Sequence, residues 1–173
     1  LDHLEVHQPM KCSNRVALSN FGIKDEQSRL LLNNLNIELK NGDALLIQGP
    51  SGTGKTSLLK AMAGIYPFET VGLVEHPCVT SLFLPQRPYM PQGTLREAIC
   101  YPDIDPDHPE LEKTLADCCL DKYLHSLDLD NDWQAILSPG ELQRVAFIRI
   151  LLTKPEVVFL DETTSALDEP TEY

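Results

Sequence analysis

No run of apolar residues in this 173-residue chain approaches the roughly 18–20 that cross a bilayer. The chain itself is not expected to span a membrane, and its first residues carry no signal-peptide pattern. Paired cysteines are also missing: Cys12, Cys78, Cys100, Cys118 and Cys119 form no CxxC and are odd in number, which points to a reducing compartment. Cys118 and Cys119 fall on an expected helix, about 100° apart, so core packing is the reading preferred over a metal site. Positive charge is scarce. Fourteen Lys and Arg against 26 Asp and Glu give a net charge of −12, which repels phosphate backbones and argues against nucleic acid as a partner. Internal repeats and low-complexity segments are absent as well.

What the chain does have is the makings of one folded domain: 42% hydrophobic and 23% charged residues over a length typical of a single core. Residues 1–15 are polar without a clear period and read as a linker or an edge. From Val16 the pattern turns strand-like, with "RVALSNF", then "LNIEL" near Leu35–Leu39, a turn at Asn41-Gly42-Asp43, and "ALLIQ" at Ala44–Gln48 as a buried strand. Lys55–Ala63 has helical spacing and a stop at Gly64. Short strands are expected at Val71–Glu75 and Ser81–Leu84. The three prolines of "PQRPYMPQG" then force an extended loop. Helices are expected at Thr94–Cys100, Pro109–Leu120 and Pro139–Leu152, and "VVFL", Val157–Leu160, as a buried parallel strand.

"GPSGTGKTS", comprising Gly49, Pro50, Ser51, Gly52, Thr53, Gly54, Lys55, Thr56 and Ser57, matches G-x-x-x-x-G-K-[ST] between an expected strand and an expected helix. Its glycines let backbone amides turn onto phosphate groups, and the helix N-terminus adds its dipole. Lys55 supplies a point charge for the β- and γ-phosphates, and the Thr56 hydroxyl is placed for Mg²⁺. By itself the motif says only that a nucleotide phosphate is bound. A strand ending in Asp161 and Glu162 puts two carboxylates at the edge where α/β sheets bind ligands, provided it lies parallel to the strand before the loop. Asp161 then supports Mg²⁺ through its water shell and Glu162 polarises the attacking water.

Together these segments resemble the nucleotide-binding domain of ATP-binding cassette (ABC) proteins. "LSPGE", Leu137–Glu141, looks like that family's signature loop; "VVFLDE" like its Walker B strand; "SALD", Ser165–Asp168, like its D-loop; and "FLPQRPYMPQGTLREAICYP", Phe83–Pro102, like its Q-loop region, with Gln86 as the named glutamine. The resemblance covers roughly residues 16–170. It implies an α/β P-loop NTPase core with a parallel sheet, a small antiparallel β subdomain and a helical subdomain carrying the signature loop. It also implies ATP and Mg²⁺ as ligands, with Gln86 contacting both the nucleotide and the metal, and Glu162 as the catalytic carboxylate.

Two such domains stack head to tail in that family, so Ser138, Gly140 and Glu141 would serve the partner's nucleotide. The partners implied are thus a second nucleotide-binding domain and a transmembrane domain. The place implied is the cytoplasmic face of a membrane. Half-transporters of the peroxisomal acyl-CoA and SbmA/BacA-like types look most similar.

Against the family pattern, Pro139 replaces the first signature glycine and Glu141 the usual glutamine. Phe21, with Ile23 close by, is the nearest candidate for the adenine-stacking aromatic. None of His3, His7, His76, His108 and His125 sits where the family's switch histidine lies. The chain begins at Leu1 and ends at Tyr173, and is expected to be a piece, 16–173 being an ABC domain cut before the histidine-bearing strand. A soluble cassette ATPase acting on nucleic acid or ribosomes, and a low-turnover regulatory module, are the alternatives; the acidic charge and the intact Lys55, Asp161 and Glu162 count against them.

Overall fold

Val16, Leu18, Phe21 and Ile23 are buried along Val16–Lys24, which forms one of the two inner strands of a four-stranded sheet in the computed structural model. The structure describes residues 10–13, 15–77 and 80–161. They fall into two compact units, Leu1–Phe83 and Leu84–Tyr173, each described by itself.

In the first unit the sheet contains β1 (Met10–Ser13), β2 (Val16–Lys24), β3 (Leu30–Leu39) and β4 (Thr70–Pro77), in the order β1-β4-β2-β3. β2 runs antiparallel to β3, with Val16 opposite Leu39 and Lys24 opposite Leu30, and antiparallel to β4, while β1 runs parallel to β4. Strand alternation breaks at Asn20, which takes φ +48°, and the register against both neighbours shifts there. The bulge fixes the identity of the residue facing it. Gly72, at φ +82°, lies so close that a Cβ would meet the Asn20 carbonyl oxygen at 2.4 Å.

The expected buried strand at Ala44–Gln48 is not formed. Its backbone joins no sheet, and Leu45 and Leu46 are 41% and 77% exposed. A strand is buried by its neighbours, and among the described residues no strand pairs with this one. The loop after it nevertheless leads into α1 (Lys55–Met62), which buries Leu58, Ala61 and Met62 on one face and ends before Gly64 at φ +73°.

The second unit starts with Leu84, the last residue of β5 (Ser81–Leu84). The proline-dense stretch is extended as expected, and leads through β6 (Gly93–Thr94) into α2 (Leu95–Cys100), whose N-terminus carries a Thr94/Glu97 capping box. α3 (Leu111–Asp117) is shorter than its sequence pattern. It closes with Cys119 at φ +57°, donating to the Ala116 carbonyl, while the Leu120 N–H reaches the Leu115 carbonyl. The two adjacent cysteines therefore do not share a helix. Cys118 packs partly buried against the core, and Cys119 is exposed at the turn, which corrects the expectation of core packing for both. A 3-10 helix (Asp121–Ser126), β7 (Asp130–Asn131), α4 (Trp133–Ile136) and α5 (Pro139–Thr153) follow, and then β8 (Val157–Leu160). β7 pairs antiparallel with β6. Leu95, Ile99, Leu111, Leu115, Trp133 and Ile148 form the centre of this unit's apolar core.

Candidate functional site

Residues Gly49–Thr53 form an exposed loop that enters α1 through Gly54 in the left-handed conformation, at φ +89°. The N-cap Gly54 has no side chain to cap the helix. Gly52 is also left-handed, at φ +80°. The Thr53 hydroxyl donates to the Pro50 carbonyl at 2.8 Å and closes the turn. Lys55 is half-buried and folds back over the loop, its Nζ donating to the Gly49 carbonyl at 2.9 Å and the Pro50 carbonyl at 2.8 Å. Thr56 and Ser57 follow as the second and third residues of α1. A left-handed turn, a helix start and a cation over the loop are thus brought together in one short segment.

In the second unit β8 delivers Asp161 to a buried position, 7% exposed, with its N–H bonded to the Leu84 carbonyl at 3.0 Å. That bond sets Asp161 at the end of the strand beside the chain that leads to Gln86, which is exposed. Glu162 and the Ser165–Asp168 segment lie outside the described residues.

The Ser138 loop is built locally. Pro139 occupies the first turn of α5, where its missing N–H costs nothing. The Ser138 Oγ accepts from the Glu141 N–H at 3.3 Å, and the Ser138 N–H donates to Glu141 Oε2 at 2.8 Å, a reciprocal capping box. Gly140 faces open space: a Cβ there would meet no atom within 4 Å. Glu141 is buried and bonded on every side, with the Lys122 ammonium at 2.6 Å and the Tyr123 hydroxyl at 3.3 Å from both carboxylate oxygens. These contacts, the Lys122 bond first, outweigh burial and hold its pKa at about 2, well below the ordinary 4.5. Glu141 stays ionised at neutral pH.

The stacking expectation fails. Phe21 and Ile23 are both sealed in the core of the first unit at 0% exposure, and a ring without free faces cannot stack on a base. Two residues with no sequence signal of their own, Lys122 and Arg149, prove structurally important. Arg149, on α5, is buried and donates to the Tyr89, Ala98 and Ile99 carbonyls, at 2.8, 2.7 and 3.1 Å. A wide depression of about 590 Å³ lined by Arg96, Asp107, His108, Pro109, Glu112 and Asp128 includes none of the expected site residues. Its Arg96 is already paired with Asp128 at 2.6 Å.

Comparison with known proteins gives the family and the fold. Residues 32–165 match the family model described as ABC transporter. Over 172 residues the chain is 79% identical to an uncharacterized ABC transporter ATP-binding protein of Haemophilus influenzae, a match covering 99% of this chain and 29% of that protein. It is 36% identical over 150 residues to ATP-binding cassette sub-family D member 3 of Homo sapiens, covering 80% of this chain and 22% of that protein. Among solved structures, a bacterial Atm1-family ABC exporter with ATP bound is similar at a TM-score of 0.77 and 25% identity, over 96% of this chain and 33% of that one. The chain thus spans less than a third of the length of the Haemophilus and human relatives. The likeness bears out the mixed α/β ATPase fold expected from the sequence.

Proposed function

The chain belongs to the ABC transporter family, and on that premise we propose that it is the ATP-binding and ATP-hydrolysing motor domain of a membrane transporter. The observation that carries the reading is the Gly49–Ser57 segment, whose left-handed Gly52 and Gly54 lead into the N-terminus of α1 beneath the Lys55 ammonium, an arrangement that suits the triphosphate of ATP. Lys55 leaves its carbonyl partners for the β- and γ-phosphates, the amides of Gly52–Thr56 surround the phosphate oxygens, and Glu162 orients and polarises the attacking water. Ser138 and Gly140 receive the γ-phosphate of a second domain's nucleotide, and the start of α5 aims its dipole there.

Among the described residues no cluster of three or more His, Cys, Asp or Glu forms a protein-only metal site. Thr56, Gln86 and Asp161 each carry an oxygen donor of the hard kind that Mg²⁺ takes, and they are the residues that would hold the ion beside a substrate phosphate. When bound, Mg²⁺ neutralises charge on the β- and γ-phosphates. Among the described residues no helix is long and apolar enough to cross a membrane. As the motor of a transporter, the domain would work with a second nucleotide-binding domain and a transmembrane domain, at the cytoplasmic face of the membrane.

Phosphate release by the complete protein tests the reading. Glu162→Gln should bind ATP with undiminished affinity, accumulate an ATP-held dimer and lose steady-state turnover by roughly a hundredfold or more. Turnover within about tenfold of wild type would remove Glu162 from the catalytic role.

A further inference from the structure

Glu141 places a formal negative charge on the helix start that, in the proposed function, receives a phosphate. Its Oε2 sits 2.8 Å from the Ser138 nitrogen, within the loop itself. A carboxylate there stabilises the helix terminus, and the same field opposes the approach of a second anion. The loop can suit a phosphate only if that charge is balanced nearby.

Lys122 balances it. Its Nζ lies 2.6 Å from Glu141 Oε1 and 4.9 Å from the centroid of the Tyr123 ring. The Tyr123 ring meets Trp133 edge-on at 5.8 Å, and the buried indole is anchored by donating to the Leu129 carbonyl at 3.1 Å. A lysine whose side chain is 62% exposed is thus held in one place by an ion pair and a ring face, and the ring is fixed from behind.

We propose that Lys122 is a positioning residue for the Ser138–Glu141 loop, cancelling the charge of Glu141 and keeping its carboxylate turned into the capping box so that Ser138 and Gly140 can accept a nucleotide phosphate. The inference rests on the reading of that loop as the receiver of a second domain's γ-phosphate. Lys122 does not touch the phosphate. It acts through Glu141, and its contribution depends on Glu141 being charged.

The test is MgATP hydrolysis by the complete protein carrying Lys122→Met, Lys122→Arg, Glu141→Gln and the double variant Lys122→Met/Glu141→Gln. Lys122→Met should raise KM for MgATP by roughly fivefold while kcat moves by less than about twofold, because the uncompensated charge acts on ground state and transition state alike. The defect should shrink as salt is raised. Lys122→Arg, which keeps the cation, should hold KM within about twofold of wild type, and the double variant should match Glu141→Gln alone within about twofold. A Lys122→Met KM within that margin of wild type, or a defect that persists in the double variant, would overturn the proposal. If the wild-type protein neither binds nor hydrolyses ATP, the parent reading fails instead. Normal wild-type turnover with an unmoved Lys122→Met sinks only the inference about Lys122.

Discussion

The guanidinium of Arg149, in the C-terminal third of α5, donates to the Ala98 carbonyl in the last turn of α2 at 2.7 Å. Two further bonds, to the Ile99 and Tyr89 carbonyls, join the same side chain to the end of that helix and to the proline-dense segment after Gln86. Helix-end carbonyls have no intrahelical partner, and Arg149 supplies one from inside the core. Its burial lowers its pKa, the mark of a cation kept by hydrogen bonds at a desolvation cost.

Replacing Arg149 with Met should therefore cost roughly 3 kcal/mol, since three carbonyls lose a charged donor in a dry site. Lys in its place should recover only part, because an ammonium lacks the planar fork. Chemical denaturation with Trp133, the chain's one tryptophan, as reporter measures both. A loss under about 1 kcal/mol for Met would mean that water replaces the guanidinium.

Gly140 separates function from stability. With open space where its Cβ would be, Gly140→Ala should leave the fold intact and gain up to about 1 kcal/mol of helix propensity. If a phosphate approaches that amide, the added methyl obstructs it, and ATP turnover should drop by about tenfold or more. Equal turnover in the two proteins would place the phosphate elsewhere.

Acid should act on Glu141. Its pKa is about 2 in the folded protein against the ordinary 4.5, so the folded state binds fewer protons between those values than the unfolded state does. The stabilisation is complete above the unfolded value and is lost as pH falls from about 4.5 toward about 2. Unfolding midpoints of wild type and Glu141→Gln, followed over that range, should converge as pH drops; parallel curves would contradict the ion pair with Lys122.

Cys119 holds a position that glycine occupies at lower cost. At φ +57° its Cβ is strained, and the turn at the end of α3 needs only its backbone. Cys119→Gly should stabilise the protein by about 1 kcal/mol, less the extra chain entropy of glycine. A lower denaturation midpoint would mean that the thiol makes a contact worth more than the strain.

What the sequence disclosed and what it hid follow one line. The start of α5 at Pro139 was legible because a proline's preference for the first helical turn is local chemistry. The Lys55–Ala63 pattern likewise marked α1 to within a residue. Ala44–Gln48 misled, because apolar content says that a strand wants neighbours and not whether it has them. The end of α3 was hidden by a cysteine standing where a glycine would have marked the turn. Lys122 and Arg149 carried no signal, since each is defined by partners distant along the chain: Glu141 for one, Tyr89, Ala98 and Ile99 for the other. The candidate base platform failed for a related reason. Phe21 has the right chemistry, but its strand turns it into the core.

In the proposed function Lys55 enters nucleotide binding already committed, with the Gly49 and Pro50 carbonyls at 2.9 and 2.8 Å. Recruitment by a phosphate is then an exchange of acceptors, and the heat of binding is a difference between charged contacts made and carbonyl contacts surrendered. The two freed carbonyls must find water or a rearranged loop. Calorimetry should accordingly record a smaller favourable enthalpy than the number of phosphate contacts implies, and the deficit should be common to pyrophosphate, ADP and ATP because it originates in the loop and not in the base.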